Sequence, residues 1–146
     1  MAQGYSPNLT NPQFFRNPKI KTAFKKYIKA VVTRYRNSPA VFAWEVSNEP
    51  RCGGDPARNL PRGPNCTSVL INEWAEEISA YIKHLDPWHL ISVGDEGFFN
   101  EPGGDDWPYN GTHGVDTEAL VKLKTIDLGT YHTYPVRYLF PFQPCR

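Results

Sequence analysis

Val41-Phe42-Ala43-Trp44-Glu45-Val46-Ser47-Asn48-Glu49-Pro50 is the stretch on which the reading of this chain turns. Val41 to Ser47 is short, mostly apolar and rich in β-branched and aromatic residues, which predicts a strand of the kind buried on both faces in a parallel sheet. It closes on an amide and a carboxylate side by side, Asn48 and Glu49, before a proline that stops it. Upstream, after an Asn/Pro-rich leader expected to be extended, Asn17-Pro18 reads as N-cap and first helical residue. Ile20, Phe24, Tyr27, Ile28, Val31, Val32 and Tyr35 then recur at three- and four-residue spacing, predicting an amphipathic helix that ends near Asn37-Ser38-Pro39.

The same alternation repeats downstream. Pro50 to Asn65 is Pro/Gly-rich and reads as a long loop. Ile71, Trp74, Ala75, Ile78, Ile82 and Leu85 mark a second helix stopped by Asp86-Pro87, and His89 to Val93 a second strand ending in Gly94-Asp95-Glu96-Gly97. A polar and aromatic loop runs from Phe98 to Gly114. Asp116 can cap a short helix through about Leu123, and Ile126 to Tyr131 reads as a third strand ending in His132-Thr133-Tyr134-Pro135. Strands separated by helices imply parallel pairing and right-handed crossovers, an α/β fold. The 14 prolines sit at the joints between these units rather than in a cluster. At 146 residues the chain is the right length for one compact domain but short of the roughly 250 that a whole (β/α)8 TIM barrel needs.

Composition excludes several classes of partner. Sixteen Lys and Arg against 15 Asp and Glu leave a net charge of +1 with no long block of one sign, so neither nucleic acid nor an anionic membrane is expected to bind. No apolar run reaches the roughly 20 residues that span a bilayer, and Met1 to Pro7 has the pattern of no signal peptide. Three glycosylation sequons, at Asn8, Asn65 and Asn110, fall in loop-like sequence. Cys52 and Cys66 flank the Gly/Pro-rich loop, which suits a disulfide and leaves Cys145 over; three unpaired thiols are the alternative. Together these features fit a secreted parent better than a cytosolic protein.

Each strand is followed by polar or aromatic side chains and a long loop: Asn48, Glu49 and Arg51; Asp95 and Glu96; His132 and Tyr134. In parallel α/β folds the ligand site lies at the carboxyl ends of the strands, so these groups should converge on one face. A carboxylic acid beside an amide suits glycoside cleavage. Protonating the leaving oxygen needs an acid of raised pKa, and the amide can hold a sugar hydroxyl. An Asn-Glu-Pro tripeptide alone more often just opens a turn; a buried-type strand ahead of it tips the balance. Among the aromatic residues, Trp107 and Tyr109 are candidates to stack on a sugar ring, whereas Trp44 and Trp74 are expected in the core and Trp88 over the barrel's bottom. His84, His89 and His113 lack metal-ligand spacing, so no metal and no cofactor are expected.

Ala43 to Cys52, Gly94-Asp95-Glu96-Gly97-Phe98 and Asp127 to Pro135 resemble, in order and spacing, the fourth, fifth and sixth strand ends of fungal-type endo-β-1,4-mannanases of glycoside hydrolase family five. The resemblance runs from about residue 10 to Pro135. It implies that residues 1–135 form part of a catalytic domain, a partial (β/α)8 TIM barrel of about three of the eight parallel strands with their helices, and that Glu49 is the acid/base of a retaining mechanism. It further implies that Asn48 binds the sugar beside the cleavage point, Arg51 contacts the leaving-group side and Glu96 is a polar site residue. His132 and Tyr134 would orient the nucleophile and line the floor, and Cys52 would be a half-cystine, supporting a bridge to Cys66. The family's nucleophile is a glutamate at the seventh strand end, which would lie beyond Arg146, so a truncated chain, inactive alone, is expected. Residues 136–146 do not resemble the family's continuation. Glu96 is a poor substitute nucleophile, since its family counterpart has another role. The reading is a monomeric hydrolase of mannan or galactomannan, secreted in its full-length form. The alternatives are a β-1,4-glucanase of the same clan, or a non-catalytic barrel piece with at most weak sugar binding.

Overall fold

A computed structural model describes residues 11–54 and 62–133. Along them run α1 (Asn11–Arg16), α2 (Pro18–Tyr35), β1 (Ala43–Glu45), α3 (Ser68–Leu85), β2 (Leu90–Ser92) and α4 (Thr117–Val121). The start of α2 is fixed as its sequence predicts. The Asn17 side chain accepts the Lys19 N–H at 2.9 Å, and Pro18 occupies the first turn, where its missing donor would have been unsatisfied anyway. Within the leader, expected to be extended, residues 11–16 instead form α1. Burial overrides local preference there: Phe15 is buried with its ring edge-on to Trp74 at 5.0 Å, and Phe14 packs on Phe15 at 5.2 Å.

Helix α3 is the central beam. Thr67 caps it by accepting the Leu70 N–H, and Ile71, Trp74, Ala75, Ile78 and Ile82 return every three or four residues to form a fully buried stripe. Losing one of these, for example by Ile78→Ala, would cost roughly 2–5 kcal/mol. The stripe meets α1 and Phe24 of α2 on one side and the sheet on the other, so the core lies between the helices and β1–β2. At the end of α3 the buried Asp86 carboxylate accepts from Trp44 Nε1 at 2.9 Å and from the Trp88 and His89 N–H groups, with His89 Nδ1 at 2.6 Å. Burial pushes the Asp86 pKa up, but these donors outweigh it and leave it below the ordinary value. One side chain thereby ties the α3–β2 turn to β1. Trp88 itself is 86% exposed and, contrary to expectation, covers nothing among the described residues.

β1 and β2 pair in parallel, with Trp44 opposite Ile91. Both are shorter than predicted, but the hydrogen bonding continues past β1. Val46 and Ser47 donate to the carbonyls of Ser92 and Val93 at 3.0 and 3.1 Å, and Glu49 donates to Gly94 at 2.8 Å. Those bonds hold the two strand tips side by side. β2 is the better covered, with Ile91, Ser92 and Val93 buried; β1 departs from its expected two-sided burial, since Glu45 is exposed and Phe42 is 75% exposed.

The predicted third strand is not a strand in the structure. Residues 126–133 lie beside β2 without a ladder, joined through Ile91, whose N–H donates to the Asp127 carboxylate at 2.8 Å while its carbonyl accepts the Asp127 N–H at 2.9 Å. A side chain does there what a strand backbone would do, and Lys83 of α3 pairs with the same carboxylate at 2.8 Å. The parallel α/β arrangement with helices packed against the sheet otherwise matches the partial barrel expected. The short helix after Asp116 is also present, its N-cap accepting the Ala119 N–H at 3.1 Å.

Candidate functional site

Glu49 stands in a backbone conformation that side chains rarely adopt. Its φ is +50°, and among the described residues it is the non-glycine with positive φ. Such strain persists only when neighbours over-determine it, and it gathers at functional sites. Here the neighbour is Gly94, itself at φ +83°, whose carbonyl takes the Glu49 N–H. A Cβ at Gly94 would lie 2.0 Å from the Ser47 carbonyl oxygen and 2.7 Å from Glu45, so only glycine lets the tips close to this distance.

The Glu49 carboxylate is half-buried and held at both oxygens. Arg51 Nη2 donates to Oε2 at 3.2 Å, and His132 Nδ1 lies 2.9 Å from Oε1. Arg51 also donates from Nε to Oε1 of Glu96, so a single guanidinium bridges two carboxylates from two strand ends. Glu96 is buried, and its Oε2 has no hydrogen-bond partner. Burial pushes its pKa up first and foremost, Arg51 pulls against that, and the charge of Glu49 adds to the rise; the net direction is upward.

The loop after β2 brings the aromatic part. Arg51 Cζ sits 5.3 Å from the centre of the Phe98 ring. On the same ring Trp107 packs edge-on at 5.6 Å, and Trp107 meets His113 at 5.1 Å. Trp107 keeps 43% of its surface exposed, so part of its ring faces solvent one residue removed from Arg51. The His113 pKa is lowered by burial, reinforced by the Arg51 and Arg62 charges, which favours the neutral ring. Behind Arg51 the bridge between Cys52 and Cys66 spans a sequence separation of 14, with both cysteines buried. The Cys52 N–H donates to the His113 carbonyl at 3.0 Å. The disulfide thus pins three pieces together: the residue after Arg51, the cap of α3 and the end of the Trp107 loop.

The structure therefore gathers Glu49, Arg51, Glu96 and His132 into one contact network and sets Trp107 beside it. Asn48 is exposed next to Glu49. His132, which the resemblance places among the residues that orient the nucleophile, touches Glu49. Tyr134 lies outside the described residues, as do Asn8, Cys145 and the divergent segment 136–146. Phe98 and His113 were not legible as site residues. Phe98 offered a faint signal, an aromatic directly after a glycine-bounded strand end; His113 offered none beyond its place in the loop.

Comparison with known proteins follows the same outline. A family model described as "GH family 5 beta-mannosidase-like" matches residues 5–138. "Probable mannan endo-1,4-beta-mannosidase C" of Aspergillus terreus is 52% identical over 123 residues, covering 84% of this chain and 30% of that protein. "Mannan endo-1,4-beta-mannosidase A" of Podospora anserina is 42% identical over 132 residues, covering 90% and 32%. The solved endo-1,4-beta-mannanase of Rhizomucor miehei superposes with a TM-score of 0.82 at 41% identity, over 88% of this chain and 38% of that one. The chain thus spans about a third of the length of the curated relatives it matches.

Proposed function

The chain belongs to the glycoside hydrolase family 5 β-mannosidase-like family, and from that membership we propose that it carries the acid/base corner of an endo-β-1,4-mannosidase acting on mannan. The observation that supports this most directly is Glu49. It is a strained carboxylate at a strand tip, half-buried, with an arginine on one oxygen and a histidine on the other. In the reaction the protonated Glu49 gives its proton to the glycosidic oxygen as the bond to the anomeric carbon breaks. Its carboxylate later takes a proton from the water that completes hydrolysis with retention.

Arg51 is shared between Glu49, through Nη2, and Glu96, through Nε, so one positive charge serves both carboxylates. The nucleophile is assigned to none of the described residues. Glu96 is spoken for by Arg51 and buried away from an incoming sugar. Asn48, exposed beside Glu49, is placed to hold a sugar hydroxyl, and Arg51 and Trp107 would receive the leaving-group side. A mannan-degrading role implies an extracytoplasmic location, and the buried disulfide is consistent with an oxidising compartment.

Reducing-sugar release from mannan and from cellulose, measured on this segment within a family 5 barrel that also supplies the nucleophile, tests the assignment. Mannan should be preferred, and Glu49→Gln should remove the activity; equal rates on both polymers would defeat the mannan choice, and an active Glu49→Gln variant would defeat the acid/base role. Binding of manno-oligosaccharide without any turnover would favour the second reading, a sugar-binding barrel piece. The exposed Phe42 and Tyr131, 75% and 78% open, are the observation on its side.

A further inference from the structure

We propose that Asn65 is an N-glycan attachment site whose occupancy competes with closure of the Cys52–Cys66 disulfide. Three observations meet at this tripeptide. Asn65 is exposed in the turn that leads into α3. Cys66, the middle residue of Asn65-Cys66-Thr67, is buried and bonded to Cys52. The Thr67 hydroxyl, which the sequon requires, is already engaged as the N-cap of α3 through the Leu70 N–H. The disulfide suits an oxidising compartment, where such modification occurs.

In the transfer, the Asn65 amide nitrogen bonds to the anomeric carbon of an oligosaccharide carried as a lipid-linked diphosphate ester. The anomeric C–O bond breaks, the diphosphate leaves with the electron pair, and Nδ2 gives up one proton. This needs a pliable Asn-X-Thr segment with a free hydroxyl. Disulfide closure and capping remove both: they draw the middle residue into the core and commit Thr67 to the helix. Cys52 precedes the sequon by only a short stretch, so both reactions are open to the chain at the same stage of synthesis. Once the glycan is on, the exposed side chain of Asn65 lets it project into solvent without disturbing the buried bridge. Asn110 differs. It is half-buried, and its Oδ1 accepts the Thr112 N–H at 3.0 Å.

The test expresses the whole 146-residue chain behind a secretion leader in a eukaryotic host. Enzymatic deglycosylation in heavy-oxygen water converts each modified asparagine to a mass-tagged aspartate, which peptide mass spectrometry reads at position 65 specifically. The expected result is partial occupancy in the native sequence and at least twofold higher occupancy in Cys52→Ser, which cannot close the bridge. Asn65→Gln should remove the signal at this site. Because transfer precedes folding, material retained inside the cell serves as well as secreted protein. An unmodified Asn65 in both native and Cys52→Ser chains overturns the site. Equal occupancy in the two overturns the competition.

Discussion

Replacing Gly94 by alanine tests the close approach that places Glu49. Two costs are separable. A residue with a side chain at φ +83° pays about 1–2 kcal/mol for the left-handed conformation alone. The new Cβ also falls 2.0 Å from the Ser47 carbonyl oxygen, which is backbone within a hydrogen-bonded pair of tips and cannot swing aside. Relief requires parting the tips, which sacrifices the bonds from Ser47 to Val93 and from Glu49 to Gly94. At about 1 kcal/mol each, these bring the total to roughly 3–4 kcal/mol. Gly103 supplies the control: its φ is +89° and nothing lies within 4 Å of its Cβ position, so Gly103→Ala should cost only the conformational part. Urea unfolding followed by circular dichroism gives both values, with an unchanged m-value as the condition for comparing them. If Gly94→Ala costs no more than Gly103→Ala, the tips are not held as described and the account of Glu49's strained backbone falls with them.

Other expectations follow from the same contacts. Cys52→Ser paired with Cys66→Ser should destabilise the fold by about 3 kcal/mol, the chain-entropy value for a loop of this length, and reductant should lower the urea midpoint of the native protein but not of the double variant. Asp86 holds its proton less tightly than its ordinary value of 3.8; its contribution is therefore complete above that value and is lost as pH falls through the folded one. Asp86→Asn should cost roughly 2–4 kcal/mol near neutrality, with the gap to the native protein narrowing in acid; a gap independent of pH would count against the charge. Glu96, whose pKa is raised, has the opposite sign: stability should decline as pH climbs from about 4.5 through its folded value, and the decline should be absent from Glu96→Gln. Trp107→Ala should weaken manno-oligosaccharide binding about fivefold, the share of a stacking contact of about 1 kcal/mol; unchanged affinity in a titration would remove Trp107 from the sugar's path.

The helices were legible because their signals are local. Asn17-Pro18 and the three-to-four spacing from Ile20 mark α2, and Trp74 with its neighbours marks α3. The site was legible at its strand tips, where Asn48, Glu49, Arg51 and Glu96 stand next to predicted strand ends. What escaped the sequence depended on partners distant along the chain. α1 exists because Phe15 finds Trp74 some sixty residues later. The segment from Ile126 carries a strand's composition, yet its pairing was decided by one carboxylate, Asp127, meeting Ile91. Phe98 and His113 gained meaning only when the loop folded back on Arg51.

The Asp127 contact bears on self-association. Alternate residues of a strand point their backbone groups to opposite edges, and Ser92 faces β1 while Ile91 faces away. By filling both the donor and the acceptor of Ile91, Asp127 leaves that flank of β2 with no open slot at this residue for a foreign chain. It also sets a charged head, tethered to Lys83, where an incoming strand would have to lie. Without that carboxylate the Ile91 N–H would lose its acceptor and Lys83 its ion pair, opening one slot on an edge that a foreign strand could use.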